Sequence, residues 1–94
     1  MDVLDVCSAL SNSTRLNLVS IIIDEGALTG KQAYEIYVEE HEELRRQSIH
    51  SALNQLADAN ILNKEYREEN GGIVYVLPDE RIEINLRRME ADFL

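Results

Sequence analysis

The sequence predicts one domain over residues 1–94 that is mainly α-helical and carries a small β-hairpin. Along most of the chain, apolar residues recur at spacings of three and four, which is typical of amphipathic helices that pack around a shared core. Around residue 70, two stretches that alternate apolar and polar residues flank an Asn-Gly dipeptide, a strong signal for a hairpin turn. A chain of 94 residues suits a single domain, and a domain of this size is only marginally stable alone.

The first two helices are predicted over residues 2–10 and 15–25. Residues 11–14 separate them, and their hydroxyl and amide side chains can cap a helix N-terminus. Gly26 follows the second helix, where a residue with a left-handed backbone often ends a helix. Cys7 lies on the apolar side of the first helix and is the only cysteine, so it cannot form a disulfide within the chain. We expect Cys7 to be a small buried hydrophobic residue, with a redox switch or a contact across a dimer as alternatives.

Two further helices are predicted over residues 30–40 and about 46–59. Thr29 can cap the first of these, and the acidic segment 39–43 ends it because carboxylates near a helix C-terminus oppose the helix dipole. In the second helix, positions at three- and four-residue spacing form the expected buried face: Ile49, Ala52, Leu53, Leu56, Ala57 and Ala59. Asn60 then occupies the left-handed position after the helix, which is usually Gly and sometimes Asn.

Two strands are predicted after these helices, at residues 61–67 and 73–77. The turn between them contains Asn70 and Gly71, which tolerate the positive φ that a tight hairpin requires. Pro78 ends the second strand because it has no N–H to donate to a neighbouring strand. A helix that can enter a DNA major groove, followed directly by a hairpin, is the arrangement of a winged helix-turn-helix.

A last helix is predicted over residues 79–94, with an apolar stripe at helical spacing. The terminal helices, at about 2–10 and 79–94, are short and one-sided, so each must bury its apolar face against another surface. We expect them to form the contacts of a homodimer. The residues expected at that dimer interface are Val3, Leu4, Cys7, Ile82, Leu86, Met89 and Phe93.

Three segments of the sequence resemble the ArsR-like winged-helix transcriptional regulators of bacteria and archaea. They are LSNSTRLNLVSIIIDEG at 10–26, SIHSALNQLADANIL at 48–62 and GGIVYVL at 71–77. The resemblance implies a winged-helix fold and DNA-dependent regulation, most often repression. MarR-like regulators share these features, and residues 33–62 also resemble the winged-helix domains of archaeal origin-recognition ATPases.

The chain departs from the ArsR-like pattern in ways that concern metal binding. Asn60 stands where the family usually has Gly at the turn into the wing. Metal-sensing members carry a cysteine pair at the recognition helix, or His and acidic ligands on the terminal helices. Here the recognition segment has no Cys, residues 79–94 hold no His, and His41 and His50 are expected on different elements. A transition-metal site needs several converging N or S ligands, so we expect no metal and no cofactor.

The distribution of charge favours DNA binding although the net charge opposes it. The formal net charge is −9, and phosphate contacts need Lys and Arg. Residues 35–43, however, hold five Glu and no base, whereas residues 44–57 hold two Arg and no acid. The helix at about 46–59 therefore presents an acid-free face that we expect to contact double-stranded DNA in the major groove. The expected DNA-binding residues are Arg45, Arg46, Gln47, Ser48, His50, Ser51, Asn54 and Gln55 on this helix, with Lys64 and Arg67 on the wing.

The wing is expected to contribute less than the helix. Lys64 and Arg67 can bind backbone phosphate, but they share the hairpin with Glu65, Glu68 and Glu69, whose carboxylates repel it. We therefore expect the tip of the wing to stay away from the minor groove.

Several classes of function are disfavoured by the sequence. No nucleophile–base pair, phosphate-binding Gly loop or paired-carboxylate pattern is present, so we expect no enzymatic activity. No apolar run approaches the length of a bilayer span, and the acidic start lacks the basic residues of a signal peptide. A cytoplasmic location without membrane association is therefore expected.

The function we expect is sequence-specific DNA binding by a transcriptional regulator, most often a repressor. The alternative is an acidic winged-helix interaction module that does not bind DNA and whose acidic surface meets a basic protein partner. A third hypothesis is a factor of viral or plasmid origin that uses the same fold. The sequence predicts neither the operator nor an effector ligand.

Overall fold

A computed structural model describes the backbone of residues 3–78, 82–85 and 90–93, and the side chains of residues 4–78. The elements follow in the order α1 (Val3–Leu10), α2 (Ser13–Glu25), β1 (Leu28–Thr29), α3 (Gly30–Glu40), α4 (Arg46–Asp58), β2 (Asn63–Arg67), β3 (Gly72–Val76), β4 (Ile82–Asn85) and β5 (Glu90–Phe93). A short 3₁₀ helix, Glu68–Asn70, joins β2 to β3. This order confirms the predicted fold, a mainly α winged helix-turn-helix with a small hairpin.

Helix α2 begins two residues before its predicted start because Asn12 caps it. Oδ1 of Asn12 accepts a hydrogen bond of 3.2 Å from the backbone N–H of Arg15, which satisfies one of the unpaired N–H groups of the first turn. Gly26 follows the helix with a φ of 84°, and its N–H donates to the carbonyl of Ile22 at 2.8 Å. Its ψ of −156° lies outside the left-handed helical region, so the expected positive φ is present in a different backbone conformation.

Helix α3 starts with the cap that the sequence predicted. Oγ1 of Thr29 accepts a hydrogen bond of 3.1 Å from the N–H of Gln32, and Oε1 of Gln32 accepts one of 3.0 Å from the N–H of Thr29. Thr29 also belongs to β1, which pairs antiparallel with β3 and places Thr29 opposite Val74. The chain therefore passes from the sheet straight into α3, which ties the helix-turn-helix to the wing.

Helix α4 ends in the turn that Asn60 was expected to make. Asn60 has a φ of 61°, and among the described residues other than glycine it alone has a positive φ. The N–H groups of Ile61 and Leu62 both donate to the carbonyl of Leu56, at 3.0 and 3.3 Å. This closure buries the side chains of Ile61 and Leu62, so β2 begins at Asn63 and not at residue 61.

The hairpin forms one side of a three-stranded antiparallel sheet with the strand order β1-β3-β2. In its register Lys64 lies opposite Tyr75, and Tyr66 lies opposite Ile73. The turn is a 3₁₀ helix followed by Gly71 at φ 77° and ψ 19°, a left-handed conformation. Only the glycine of the predicted Asn-Gly pair therefore takes a positive φ.

One hydrophobic core lies between α2, α3, α4 and the sheet. Its most deeply buried side chains are Leu18, Tyr37, Ile49, Leu53, Leu56, Ile61 and Leu62. Helix α1 adds Ala9 to this core and buries Val6, one turn earlier. The predicted burial of Cys7 was wrong, because Cys7 is exposed and Leu4 is 65% exposed. Val6 and Ala9 are three residues apart and share the buried face of α1, whereas Leu4 and Cys7, also three apart, lie on the opposite side of the helix.

The C-terminal residues form strands where a helix was predicted. Strands β4 and β5 pair antiparallel, with Ile82 opposite Phe93 and Ile84 opposite Ala91. Apolar and polar residues alternate through β4, and isoleucine is β-branched, both of which favour a strand. The spacing from Ile82 to Phe93 fits a helical stripe, but it equally fits a hairpin in which the two residues are register partners.

The prediction that both terminal dimerisation elements are helices is therefore wrong for the C-terminal one. The N-terminal element is a helix as expected, whereas the described part of 79–94 is a strand pair whose second strand lies beside α1. Of the predicted interface residues, Leu86 and Met89 lie outside the described residues. The prediction that 1–94 is a single domain stays a prediction.

A helix that crosses a bilayer needs about 20 consecutive apolar residues. No single helix in the described part of the chain is long and apolar enough to cross a membrane. Helices α1 and α2 reach that length and composition only together, and the chain bends by 89° between them.

Candidate nucleic-acid interface

Helix α4 separates a buried face from an exposed face along its whole length. Its buried side chains are Ile49, Ala52, Leu53 and Leu56. The side chains expected to contact DNA lie on the other face: Arg45, Arg46, Gln47, Ser48, His50, Ser51 and Gln55 are exposed, and Asn54 is half-buried. The structure therefore gathers the helical members of the predicted site on one surface, which we call the α4 face.

The N-terminal end of the α4 face is electropositive. The first turn of α4 holds no acidic residue, and its N-cap residue, Arg45, makes no side-chain capping hydrogen bond. The first N–H groups of a helix have no acceptor within the helix, and together with the helix dipole they attract anions. Arg45 and Arg46 add two positive charges at this end, and the nearest acidic residues along the chain, Glu43 and Asp58, flank the face at its two ends.

An open groove of about 450 Å³ runs between the N-terminus of α2 and the N-terminus of α4. Its lining residues are Asn12, Thr14, Arg15, Leu44, Arg45, Gln47, Ser48, Ser51, Ala52 and Gln55. Among the residues that the structure describes, none that lines this groove is acidic. Two helix N-termini, two arginines and three hydroxyl groups therefore border one concave surface, which suits a phosphate group.

Sequence reasoning missed the α2 side of this groove. Residues 11–14 were expected only to cap a helix, and Arg15 entered only as part of a family-like segment. The neighbourhood of residues 12–15 and α4 arises from the packing of α2 against α4. One local signal was present, because a cation in the first turn of a helix opposes the helix dipole and so suggests a partner elsewhere.

Arg15 is the cation in the first turn of α2, and its hydrogen bonds join α1 to α4. Its Nε donates to the carbonyl of Ala9 at 2.6 Å, and its Nη2 donates to the carbonyl of Ser8 at 3.1 Å. Its Nη1 donates to Oε1 of Gln55, whose Nε2 donates in turn to Oγ of Ser51 at 3.4 Å. Both polar ends of the Gln55 side chain are therefore engaged within the protein.

Asn54 is engaged with the wing. The hydroxyl of Tyr75 donates a hydrogen bond of 3.0 Å to Oδ1 of Asn54. Burial raises the pKa of the Tyr75 hydroxyl above its usual value of 10.0, so the hydroxyl stays protonated, and able to donate, further into the alkaline range. Nζ of Lys64 lies 5.8 Å from the centre of the same ring, within reach of a cation–π interaction. The contact between the α4 face and the wing is thus made by Asn54, Tyr75 and Lys64.

His50 packs against the start of α3. A Cβ on Gly30 would lie 2.5 Å from Cε1 and 2.9 Å from Nδ1 of the His50 ring, so the ring occupies the space that a larger residue at position 30 would need. The His50 residue as a whole is exposed, so part of the ring contacts α3 and the rest meets solvent. Gly30 was not singled out by the sequence, and only the packing of α3 on α4 shows why it is small.

The wing offers little net positive charge. Nη2 of Arg67 lies 3.0 Å from Oε2 of Glu65 in an ion pair whose side chains are 38% and 46% exposed. Glu68 and Glu69 are exposed at the tip of the hairpin, and Lys64 is exposed near its base. The charge of Arg67 is therefore already partly compensated within the wing.

The two histidines lie on different elements, as expected. His41 is the C-cap of α3, and its ring centre is 5.0 Å from that of Tyr37, whereas His50 lies in α4. In the part of the chain that the structure describes, no group of three or more His, Cys, Asp and Glu side chains could hold a metal ion.

These elements define a winged-helix domain, in which α3 and α4 form the helix-turn-helix and the β2–β3 hairpin forms the wing. Among solved structures, the chain is similar to the ferric uptake regulator from Pseudomonas aeruginosa, whose structure was determined with manganese. The two chains are 15% identical, with a TM-score of 0.59. The match covers 88% of this chain but only 65% of the regulator, so this chain spans less than two thirds of that neighbour's length.

At 15% identity, the likeness shows the fold alone. No protein-family model matches the sequence, and no curated protein matches it significantly. The comparisons therefore support the winged-helix fold that the sequence predicted, and they do not support the ArsR-like family in particular.

Proposed function

We propose that this protein is a sequence-specific DNA-binding transcriptional regulator whose helix α4 enters the major groove. The observation that carries the proposal is the absence of acidic residues from Arg46 to Ala57 in α4, whose one acidic residue is Asp58 at its C-terminal end, in a chain that holds 18 acidic and 9 basic residues. A solvated helix face without a binding role would be expected to share the acidic bias of the rest of the chain. The lack of acidic residues over 44–57 and along the groove at the N-terminus of α4 favours a polyanionic partner.

Base contacts are assigned to Arg46, Gln47, His50 and Ser51. Recognition helices contact bases mainly through their N-terminal residues, and these four lie in the first half of α4. An arginine can pair with the O6 and N7 atoms of guanine, and a glutamine can pair with N6 and N7 of adenine. Gln55 and Asn54 lie further along the helix and are hydrogen-bonded within the protein, so they have a smaller share in base contacts.

Phosphate contacts are assigned to Arg45 and Ser48. Both line the groove at the N-terminus of α4, where free N–H groups and the helix dipole add to the attraction for an anion. On the wing, Lys64 is the stronger candidate, because Arg67 is paired with Glu65. Such contacts hold the helix in register on the duplex, while the base contacts supply specificity.

The proposed mode of action is repression by a homodimer in the cytoplasm. The side chains of Leu4 and Cys7 are exposed on α1, and β5 lies beside this helix, so we assign the contact with a second copy to these two elements. A symmetric dimer would present two α4 helices to half-sites about 34–36 Å apart, which is one turn of DNA. An ArsR-like subfamily remains part of this proposal and is supported by the three resembling segments of the sequence.

A second candidate function is a protein-interaction module. Tyr66 and Ile73 are register partners on the wing, and they are 70% and 49% exposed, which gives the hairpin an uncharged apolar patch. Glu68 and Glu69 lie next to this patch and would attract a basic partner. The two candidates use different surfaces, so they can be separated by experiment.

The deciding experiment measures binding to random-sequence duplex DNA by fluorescence anisotropy over a series of salt concentrations. DNA binding predicts that the logarithm of the association constant falls linearly with the logarithm of the salt concentration. The variant Arg45→Ala/Arg46→Ala removes the proposed phosphate contact of Arg45 and the positive charge of Arg46, so its slope should be shallower by about 1 to 2. In vitro selection from a library of random duplexes should then converge on one sequence motif.

The matched control is Ser20→Asp, which makes the net charge more negative at an exposed position of α2 without changing α4. Its slope should equal that of the wild type. A wild-type protein that does not associate with duplex DNA even at low salt would remove the regulator proposal and leave the interaction module. Selection that yields no motif, despite salt-dependent binding, would remove the claim of sequence specificity.

A further inference from the structure

We propose that Arg15 is a positioning residue that holds the DNA-contacting helix α4 in a defined place relative to α1. This inference rests on the proposed function of α4. One guanidinium donates three hydrogen bonds, to the carbonyls of Ser8 and Ala9 and to Oε1 of Gln55. The planar guanidinium presents its donors in a fixed fork, so a single arginine can join two helices at a set distance.

The α1 end of this link lies at the last turn of α1, whose carbonyls have no N–H partner further along the helix. The carbonyl of Ala9 accepts the shorter of the two bonds from Arg15, at 2.6 Å, whereas the carbonyl of Ser8 also accepts from the N–H and the hydroxyl of Ser11, at 3.3 and 2.7 Å. A cation at this end also interacts favourably with the negative end of the α1 dipole. Arg15 therefore stabilises the C-terminus of α1, which explains why a cation is tolerated in the first turn of α2.

The α4 end of the link reaches the α4 face itself. Gln55 is exposed, yet its Oε1 accepts from Arg15 and its Nε2 donates to Ser51 one turn earlier. A bidentate contact to adenine would need both the oxygen and the nitrogen of the amide. Gln55 is thus assigned first a role in fixing α4, and a smaller share in base contacts than its residue type predicted.

Arg15 and Gln55 also line both of two grooves that follow one another along the same side of α4. One is the groove of about 450 Å³ at the N-terminus of α4, where phosphate contacts are proposed. The other, of about 520 Å³, lies between α1 and the C-terminal end of α4 and includes Asp5 and Asp58 in its lining. The contacts of Arg15 with α1 and with Gln55 therefore lie at the border of the groove where phosphate contacts are proposed.

The test compares Arg15→Ala, Gln55→Ala and the double variant by DNA affinity and by amide hydrogen exchange of the free protein. If the bridge positions α4, each single variant should weaken binding to random duplex DNA by about tenfold, and the double variant should bind no more weakly than the weaker single variant. The slope against salt should stay that of the wild type, because Arg15 is held by protein acceptors and releases no counterions. In the free protein, the amides of α4 should exchange faster in all three variants.

Three results would overturn the proposal. The first is that the losses of DNA affinity in the two single variants add in the double variant. The second is a salt slope that becomes shallower by about 0.9 in Arg15→Ala, which would mean that this residue binds phosphate directly. The third is that the amides of α4 exchange at the wild-type rate in the variants. Gln55→Glu keeps an acceptor for Arg15, so its exchange in α4 should match the wild type. If the wild type does not bind DNA, the proposed function fails, but the exchange measurements still test the bridge. If Arg15→Ala does not fold, the bridge is still tested by comparing the amide exchange of α4 in Gln55→Ala with that in Gln55→Glu, because Gln55 is exposed and its substitution should leave the fold intact.

Discussion

The hydroxyl of Tyr75 donates a hydrogen bond of 3.0 Å to Oδ1 of Asn54, and this bond joins the central strand of the wing to helix α4. In the sheet, Tyr75 lies opposite Leu28 on one side and Lys64 on the other. Because β3 is the central strand, the hydrogen bond from its Tyr75 side chain joins the sheet to the helix that carries the candidate interface. We expect this contact to help fix the position of the wing relative to α4.

Removing the Tyr75 hydroxyl should weaken that contact. Tyr75→Phe keeps the ring but loses the hydrogen bond, so the free energy of unfolding should fall by about 0.5–1.5 kcal/mol. Urea denaturation at neutral pH measures the change. The control is Tyr66→Phe, because the Tyr66 side chain is 70% exposed and its substitution should cost less than about 0.5 kcal/mol. Equal losses in the two variants would contradict the role of the Tyr75–Asn54 bond.

The stability that Tyr75 contributes should depend on alkaline pH. Burial raises the folded-state pKa of Tyr75 above 10.0, so at high pH the unfolded chain releases a proton that the folded protein still holds. The contribution is therefore fully present below the unfolded value and is lost as the pH rises from there toward the folded-state pKa. The difference in unfolding free energy between wild type and Tyr75→Phe should be larger at about pH 8 than at about pH 11. A difference that does not change with pH would contradict this prediction.

Gly30 and His50 should be energetically coupled. Alanine favours a helix interior over glycine by about 0.5–1 kcal/mol, so at Gly30, the first residue of α3, Gly30→Ala should stabilise the helix by up to that amount wherever there is room for the new methyl group. In the wild type the methyl would lie 2.5 Å from the His50 ring, which must move away and lose its contact with α3. The gain should therefore appear in a His50→Ala background and be cancelled in the wild type.

A double-mutant cycle measures this coupling. The four proteins are the wild type, each single variant and Gly30→Ala/His50→Ala, compared by thermal or urea unfolding. The expected interaction energy is at least about 0.5 kcal/mol. Additive effects would show that the ring turns away from Gly30 without loss.

The cap at Thr29 should be worth about 1 kcal/mol. Thr29→Ala removes the oxygen that accepts from the N–H of Gln32, and substitutions of this kind usually cost about 0.5–2 kcal/mol. Thr29→Ser keeps the hydroxyl and serves as the control, with an expected loss of a few tenths of a kcal/mol. If serine and alanine were equally destabilising, packing of the threonine methyl and not capping would account for the loss.

Cys7 should react with a thiol reagent in the folded protein. Its side chain is exposed, so Ellman's reagent should label it completely without denaturant at low protein concentration. If α1 lies in the proposed dimer interface, labelling should slow as the protein concentration rises. The control is Leu4→Glu, which should abolish this dependence by placing a charge on the same helix. A dimer detected by sedimentation whose labelling rate does not change with concentration would place the interface elsewhere.

Several features of the candidate interface were predictable because they depend on local chemistry. The exposed face of α4 follows from helical periodicity, since the same spacing that buries Ile49, Leu53 and Leu56 leaves the polar residues outward. The caps at Asn12 and Thr29 and the positive φ of Asn60 follow from residue type.

Other predictions failed where two structures fit one pattern. Ile82 and Phe93 fit both a helical stripe and the register of a hairpin, and the pairing of β4 with β5 decided for the hairpin. Cys7 and Leu4 fit an apolar helix face, but which stripe of α1 is buried depends on how that helix meets the rest of the protein, and Val6 and Ala9 are the residues inside.

The amino-acid sequence alone determined the order of the helices and the wing, the caps and the acid-free surface of α4, because each depends on residues that are close along the chain. Only the tertiary structure decided that Arg15 reaches Gln55, 40 positions away, and that Tyr75 reaches Asn54, 21 positions away. Such contacts form because packed helices and strands bring distant residues together, and side-chain hydrogen bonds are set by that packing and not by local residue preference.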